Sequence, residues 1–130
     1  MRLFISSLVL FFTSLTSFAQ EEEENKWVDP SSEQIEFLKQ GFIADSSLKD
    51  PFSVQFRNTK VDTGLLNGGM MFCGEMNAKN SYGAYTGWKV FSAVYSSRLA
   101  AKKEEPWGVF LDDDDPEGSV ADILCEDVFY

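Results

Sequence analysis

MMFCGEMNAKNSYGAYTGWKVFSAVYS, residues 70–96, decides how this chain folds. Met70 to Met76 reads as a strand and Tyr82 to Ser96 as a second, longer one, with the polar residues 77–81 as the loop between them. In the longer run Trp88, Val90 and Val94 fall on one face, while Tyr85, Phe91 and Tyr95 fall on the other. Both faces carry large apolar groups. One is expected to lie against helices, and the other is either covered too or stands as an exposed aromatic surface. The stretch from Cys73 to Trp88 is unusual within this region. It holds Gly74, Gly83 and Gly87, with Gly68 and Gly69 just upstream, and also Asn77, Asn80, Tyr82, Tyr85, Lys79 and Trp88. A strand needed only for burial uses Val, Ile and Leu. Glycine in strand-like sequence marks a bulge, a bend or the close approach of another group. The segment is therefore built for shape and polar contact as well as for packing.

Upstream, Val54 to Asp62 reads as the preceding strand, ended by Thr63-Gly64, and Leu66-Asn67-Gly68-Gly69 is a turn signal leading to Met70. Asp50-Pro51-Phe52-Ser53 reads as a turn or a single helical turn. Asp29-Pro30 opens a helix, with Asp29 as cap and Pro30 at the first helical position. Ile35, Leu38 and Phe42 form its apolar stripe, Gly41 weakens or bends it, and it stops before Pro51. Downstream, Ser97 to Glu105 is a charged connection, Trp107 to Leu111 a short edge strand, and Asp112 to Gly118 an acidic loop. Val120 to Val128 has helical spacing and carries Cys125. The expected fold is α+β: a small antiparallel sheet of three to four strands packed with an N-terminal and a C-terminal helix, in the order α-β-β-β-α.

The first residues, MRLFISSLVLFFTSLTSFAQ, have the form of a secretory signal peptide: Arg2, an apolar core from Leu3 to Phe12, and small residues around a cut near Ala19. The apolar run is short for a membrane span, which needs about 20 residues. The expected organisation is a signal peptide over 1–19, an acidic disordered segment over 20–28, and a single α+β domain over 29–130. The mature chain is expected to be periplasmic or secreted, with no transmembrane segment. Export implies an oxidising compartment, and Cys73 and Cys125 are the only cysteines, so one disulfide is the simple reading and two free thiols the alternative. The bond would close a loop worth about 4 kcal/mol in the chain-entropy model. The chain has no histidine, which removes Cys-His nucleophiles and Cys/His zinc sites.

The formal net charge is −10, and its placement is uneven. Residues 104–130 hold ten acids and no base, residues 20–45 are acidic as well, and residues 46–103 carry a basic excess. Solubility with self-shielding across the fold accounts for this. The sharper reading is a basic middle that meets an anionic partner while the ends tune access. The acid excess argues against nucleic acid.

Leu48-Lys49-Asp50-Pro51 with Ser53, Phe56 and Arg57, followed by Cys73-Gly74, Asn77, Lys79-Asn80, Gly83, Tyr85 and Gly87, resembles a set of short exported bacterial and prophage-borne proteins of uncharacterised function. Their shared pattern is L-x-D-P-x-S-x-x-F-R and then C-G-x-x-N-x-K-N-x-x-G-x-Y-x-G. The resemblance covers residues 48–91 and implies a common fold. It brings no activity with it. Ala84 stands where a second glycine often sits, which touches loop detail only.

The first candidate site is Asn77, Lys79, Asn80, Tyr82, Tyr85 and Trp88. Amides and a lysine beside aromatic rings suit a polar ligand or a protein interface. The structural alternative is that the asparagines shape turns and the aromatics are core. Asp112 to Asp115 with Glu117 has the carboxylate density of a calcium site but lacks the EF-hand order, and a solvated charge run is the favoured explanation. Ser46-x-x-Lys49 has the spacing of a serine–lysine pair without the accompanying elements. Glu75, the only acid between Thr63 and Lys103, cannot supply a glycosidase pair alone. No cofactor and no metal is expected. The expected function is a small exported, non-enzymatic interaction module that binds a protein or cell-envelope component through residues 77–91. A small-ligand or glycan binder using the same surface is the alternative, and a hydrolase of unknown type the third.

Overall fold

The computed structural model describes residues 26–65, 68–112 and 120–129. The expected signal peptide, most of the acidic N-terminal segment, Leu66 and Asn67 of the turn signal, and most of the acidic loop lie outside the described residues. The elements run α1 (Ser32–Ala44), β1 (Asp50–Asp62), β2 (Met70–Lys79), β3 (Lys89–Tyr95), α2 (Ser97–Ala101), β4 (Trp107–Leu111), α3 (Val120–Leu124) and α4 (Glu126–Phe129). The strands form one four-stranded antiparallel sheet in the order β1-β2-β3-β4. The fold is the expected α+β arrangement.

α1 starts later than Asp29-Pro30. Ser31 is the N-cap, its hydroxyl accepting from the Gln34 N–H while the Gln34 side chain accepts from the Ser31 N–H. This reciprocal capping box satisfies two of the free N–H groups at the helix start. Asp29 instead pairs with Lys60 on β1. The expected stripe is present in Leu38 and Phe42, both fully buried. Gly41 does more than weaken the helix: a Cβ there would lie 2.5 Å from the Trp107 ring, so glycine lets the helix sit directly on that indole.

The face of the sheet under α1 is aromatic. Phe42, Phe56 and Phe91 form a triangle with ring centroids 5.1 to 5.4 Å apart. Phe37 meets Tyr95 at 4.8 Å and Trp107 at 4.9 Å. Edge-on and tilted geometries of this kind are the favoured ones for ring pairs. Residues alternate along each strand, so Cys73 and Ser92 point to the opposite face. There Cys73 is bonded to Cys125, S–S 2.00 Å, across a sequence separation of 52. α3 lies over β3 and β4 on this side, its Ala121 fully buried. The expected C-terminal helix is thus two short helices, broken at Cys125 where the bond to β2 fixes the chain.

Three further boundaries differ from expectation. Asp50 to Ser53 is not a turn but the start of β1, with Asp50 opposite Lys79. β2 runs on through Asn77 to Lys79, and β3 begins only at Lys89, so residues 80–88 are the loop. The charged connection after Ser96 contains the short helix α2.

Each outer strand of the sheet is met at one position by a residue flanking α1. On the β1 side Val28, placed by the sequence reading in the acidic segment, exchanges two backbone hydrogen bonds with Val61. On the β4 side the Val109 N–H donates to Asp45 Oδ2 at 3.1 Å, and Asp45 is the C-cap of α1.

Candidate functional site

The loop over residues 80–88 is held by the hydrogen bonds of Asn80, Tyr85 and Thr86 and of Asn77 in β2. Asn80 Oδ1 accepts from the N–H groups of Tyr82 (2.9 Å) and Ala84 (3.1 Å), and the Gly83 N–H donates back to the Asn80 carbonyl. This is the local side-chain mimicry of a turn that asparagine is suited to. Asn77, in β2 and only 8% exposed, accepts from the Gly87 N–H at 3.1 Å. Gly83 and Gly87 sit at φ +79° and +106°, where a side chain would be strained. Tyr85 pairs with Lys79 as a β-bridge, and its hydroxyl donates to the Ser53 carbonyl on β1 at 3.2 Å.

Ser53 is the hub on the other side. Its hydroxyl donates to the Asp50 carbonyl (2.7 Å) and accepts from the Lys79 N–H (2.8 Å). The D-P-x-S residues of β1 and the N-x-K-N-x-x-G-x-Y-x-G residues of β2 and its loop therefore meet in space.

Of the six predicted residues, Asn77, Asn80 and Tyr85 hold the loop. Lys79 places its ammonium 5.5 Å from the Tyr85 ring centroid, within range of a cation–π contact. Tyr82, at the tip, is 96% exposed. Trp88, 37% exposed, is separated from these residues in its partners: Arg57 lies over its ring at 4.2 Å.

Arg57 belongs to a cluster that the residue types alone do not announce. β1 carries one extra residue between Arg57 and Lys60 relative to the Glu75–Cys73 step of β2, a bulge with Asn58 at φ +50°. The bulge turns Asn58 Nδ2 onto Glu75 Oε2 at 2.8 Å, while Arg57 donates to both Glu75 oxygens, at 2.9 and 3.5 Å. Gly74 makes room for this, since a Cβ there would lie 2.6 Å from Thr59 Oγ1. Hydrogen bonds from Arg57 and Asn58, together with the guanidinium charge, hold the Glu75 carboxyl below its ordinary value of 4.5 against an opposing desolvation effect. A carboxylate held ionised in this way is a brace for Arg57 and a poor proton donor. Two signals in the sequence bear on the cluster: the isolated acid Glu75 in a basic stretch, and Gly74 beside it.

Beside the bulge a cleft of about 430 Å³ is lined by Asp29, Asn58, Thr59, Lys60 and Val128. The serine–lysine spacing at residues 46–49 has a structural explanation, because the Ser46 hydroxyl donates to the Phe42 carbonyl at the end of α1. Among the described residues no group of three or more His, Cys, Asp or Glu is placed to hold a metal ion, and most of the acidic run after Leu111 lies outside them. No described helix is long and apolar enough to cross a membrane. No family model matches the chain, and neither a curated protein nor a solved structure matches it.

Proposed function

We propose that this chain is a small exported, non-enzymatic interaction module that docks a protein or cell-envelope component through the surface of residues 77–91. One observation carries the reading. Asn77 of β2 and Asn80 accept from the loop backbone, the Tyr85 hydroxyl donates to β1, and Tyr82 is left standing free at the tip. A loop already ordered before contact avoids most of the entropy that binding otherwise costs, and tyrosine offers a large amphipathic contact with few rotatable bonds. Lys79 and Trp88 stand at the two ends of the loop and supply a cation and a second aromatic surface. The disulfide suits an oxidising compartment, in keeping with the N-terminal segment.

The test is in-cell photo-crosslinking from a probe at position 82, with the adducts identified by mass spectrometry. Position 85 is the poorer choice because the Tyr85 hydroxyl is engaged with Ser53. The expected result is a discrete adduct with a protein or envelope component, lost when Asn80→Ala loosens the loop while circular dichroism stays native. A folded, exported chain that yields no adduct would count against the module.

The cleft beside Asn58, Thr59 and Lys60 favours a second reading, a small-ligand or glycan binder, at that cleft and not on the 77–91 surface expected from the sequence. Its volume falls within the range of small-molecule sites, about 300–1,000 Å³. Titration with envelope glycan fragments, followed on the amide signals of residues 58–60, separates the two readings. Saturable shifts at those residues support the binder, and their absence removes the small-ligand reading.

A further inference from the structure

Around the C-terminal helices the surface changes character. α3 directs Ala121 and Cys125, spaced i and i+4, into the sheet, and both are fully buried. Helical geometry then gathers Val120, Ile123 and Leu124 on the outward side. They are 49, 67 and 38% exposed. Phe110, also exposed, lies on the same face of the sheet: it is opposite Ser92, which is opposite Cys73, the residue bonded to the end of α3. Four large apolar side chains on one side of so small a domain are the kind of surface that marks an interaction site. Acids lie beside them along the chain, Asp112, Asp122, Glu126 and Asp127, in a segment of 104–130 that holds no base at all.

We propose that Phe110, Val120, Ile123 and Leu124 form a second docking surface, whose partner is a cationic amphipathic segment of another protein, one that presents Lys or Arg around Leu, Ile or Val. Charge complementarity selects this occupant: an apolar centre with an acidic rim is satisfied by an apolar centre with a basic rim. A membrane-inserting patch carries the opposite rim, Lys and Arg, because the lipid surface is negative. A second copy of this chain, with a formal net charge of −10, would bring its own acid excess against the same rim. The surface also depends on the covalent bond. α3 has five residues, too few to be helical alone, and Cys125 ties its end to β2. The surface therefore exists in the oxidised chain and is lost with the bond.

The experiment uses the full oxidised chain and two fluorescent peptides of one apolar pattern, a Lys/Leu peptide and its Glu/Leu counterpart, read by fluorescence anisotropy. The Lys/Leu peptide is expected to bind and the Glu/Leu peptide not to bind. Binding should weaken as salt is raised. Ile123→Ser, at a site exposed enough to leave the fold intact, should weaken it by about tenfold or more, as loss of one buried aliphatic side chain implies. Tyr82→Ala should leave it unchanged, which separates this surface from the loop of residues 80–88. Equal affinity of the Ile123→Ser chain would reduce the effect to unspecific attraction by net charge and overturn the proposal. So would the absence of binding at millimolar peptide. Capture of anionic vesicles that depends on Ile123 would assign the patch to a membrane instead, and self-association abolished by Ile123→Ser would assign it to a second copy.

Discussion

The two faces of the sheet are held by different physics. Under α1, side chains interlock: Leu38, Phe42, Phe72 and Phe91 are fully buried, and each of those phenylalanines has another aromatic ring at contact distance. On the opposite face, part of it under α3, the same strands show no ring cluster of this kind: Cys73 and Ser92 are buried there, the Arg57–Glu75 pair lies further along, and one covalent bond takes the place of the interlocked rings. Ser92 is fully buried there, and among the described residues its hydroxyl has no hydrogen-bond partner, a fault that the α1 face does not show. Dense packing makes a face intolerant of change. A face fixed by a tether leaves its remaining side chains free to be a surface, and the exposed aromatic Trp88 and the apolar side of α3 both belong to that half.

The contrast can be broken most directly at its dense side. Phe42→Ala is expected to destabilise the fold by about 3–5 kcal/mol, read by urea unfolding, because it removes the ring shared by Phe56 and Phe91 and leaves a cavity. A loss well under that range would mean the aromatic cluster is not what holds this face. The tethered side is tested by replacing Cys73 and Cys125 together with Ala, expected to cost about 2–4 kcal/mol. Amide exchange should show protection lost over residues 120–128 while β2 and β3 stay protected; uniform loss along the chain would mean the two faces do not separate.

Smaller effects sharpen the comparison. Glu75→Gln is expected to cost at most about 1 kcal/mol near neutral pH, as for a partly exposed ion pair. The sign with pH follows from the lowered folded value. The carboxylate stabilises the fold at pH above its ordinary 4.5, and that contribution disappears as pH falls through the lower folded value. Melting curves of the two proteins should converge in acid; a gap that persists there would assign the effect to packing. Ser92→Ala is expected to change stability by less than about 1 kcal/mol, toward greater stability, because it removes an unpaired buried hydroxyl. Measurable destabilisation would reveal a partner for that oxygen.

The parts of the fold governed by a short period are legible in the sequence. Leu38 and Phe42 repeat at helical spacing, the strand runs from Val54 and Met70 are apolar enough to stand out, and two cysteines admit one pairing. The errors sit where polarity and exposure part company. Asn77 and Lys79 look like loop residues, yet the β2 ladder runs through them, and Asn77 is buried because its amide oxygen is committed to Gly87. Tyr82, Tyr85 and Trp88 look like strand residues, since aromatics favour strands, but Gly83 and Gly87 adopt positive φ and end the extended run. The 77–88 region is thus legible as a special site while its internal roles are not: which asparagine folds the loop and which tyrosine is left free depend on hydrogen bonds made only after β1 and β2 are in register. The Arg57–Glu75–Trp88 cluster is further from reach: Glu75 and Gly74 stand out in the sequence, but the one-residue bulge that brings Arg57 and Asn58 onto Glu75 is not marked by any residue pattern in β1.

Helix α1 has a consequence beyond the core it covers. Val28 before it and Asp45 at its end are the residues that occupy the two outer strands, at Val61 and at Val109. A bare strand edge is a template for pairing with another chain. Because both contacts flank one helix, fraying of that helix would free the edge groups of Val61 and Val109 together and leave the two outer strands more open to pairing with another chain. Edge-to-edge association of this protein, measured on storage, should therefore follow the local stability of α1 and not that of the whole domain.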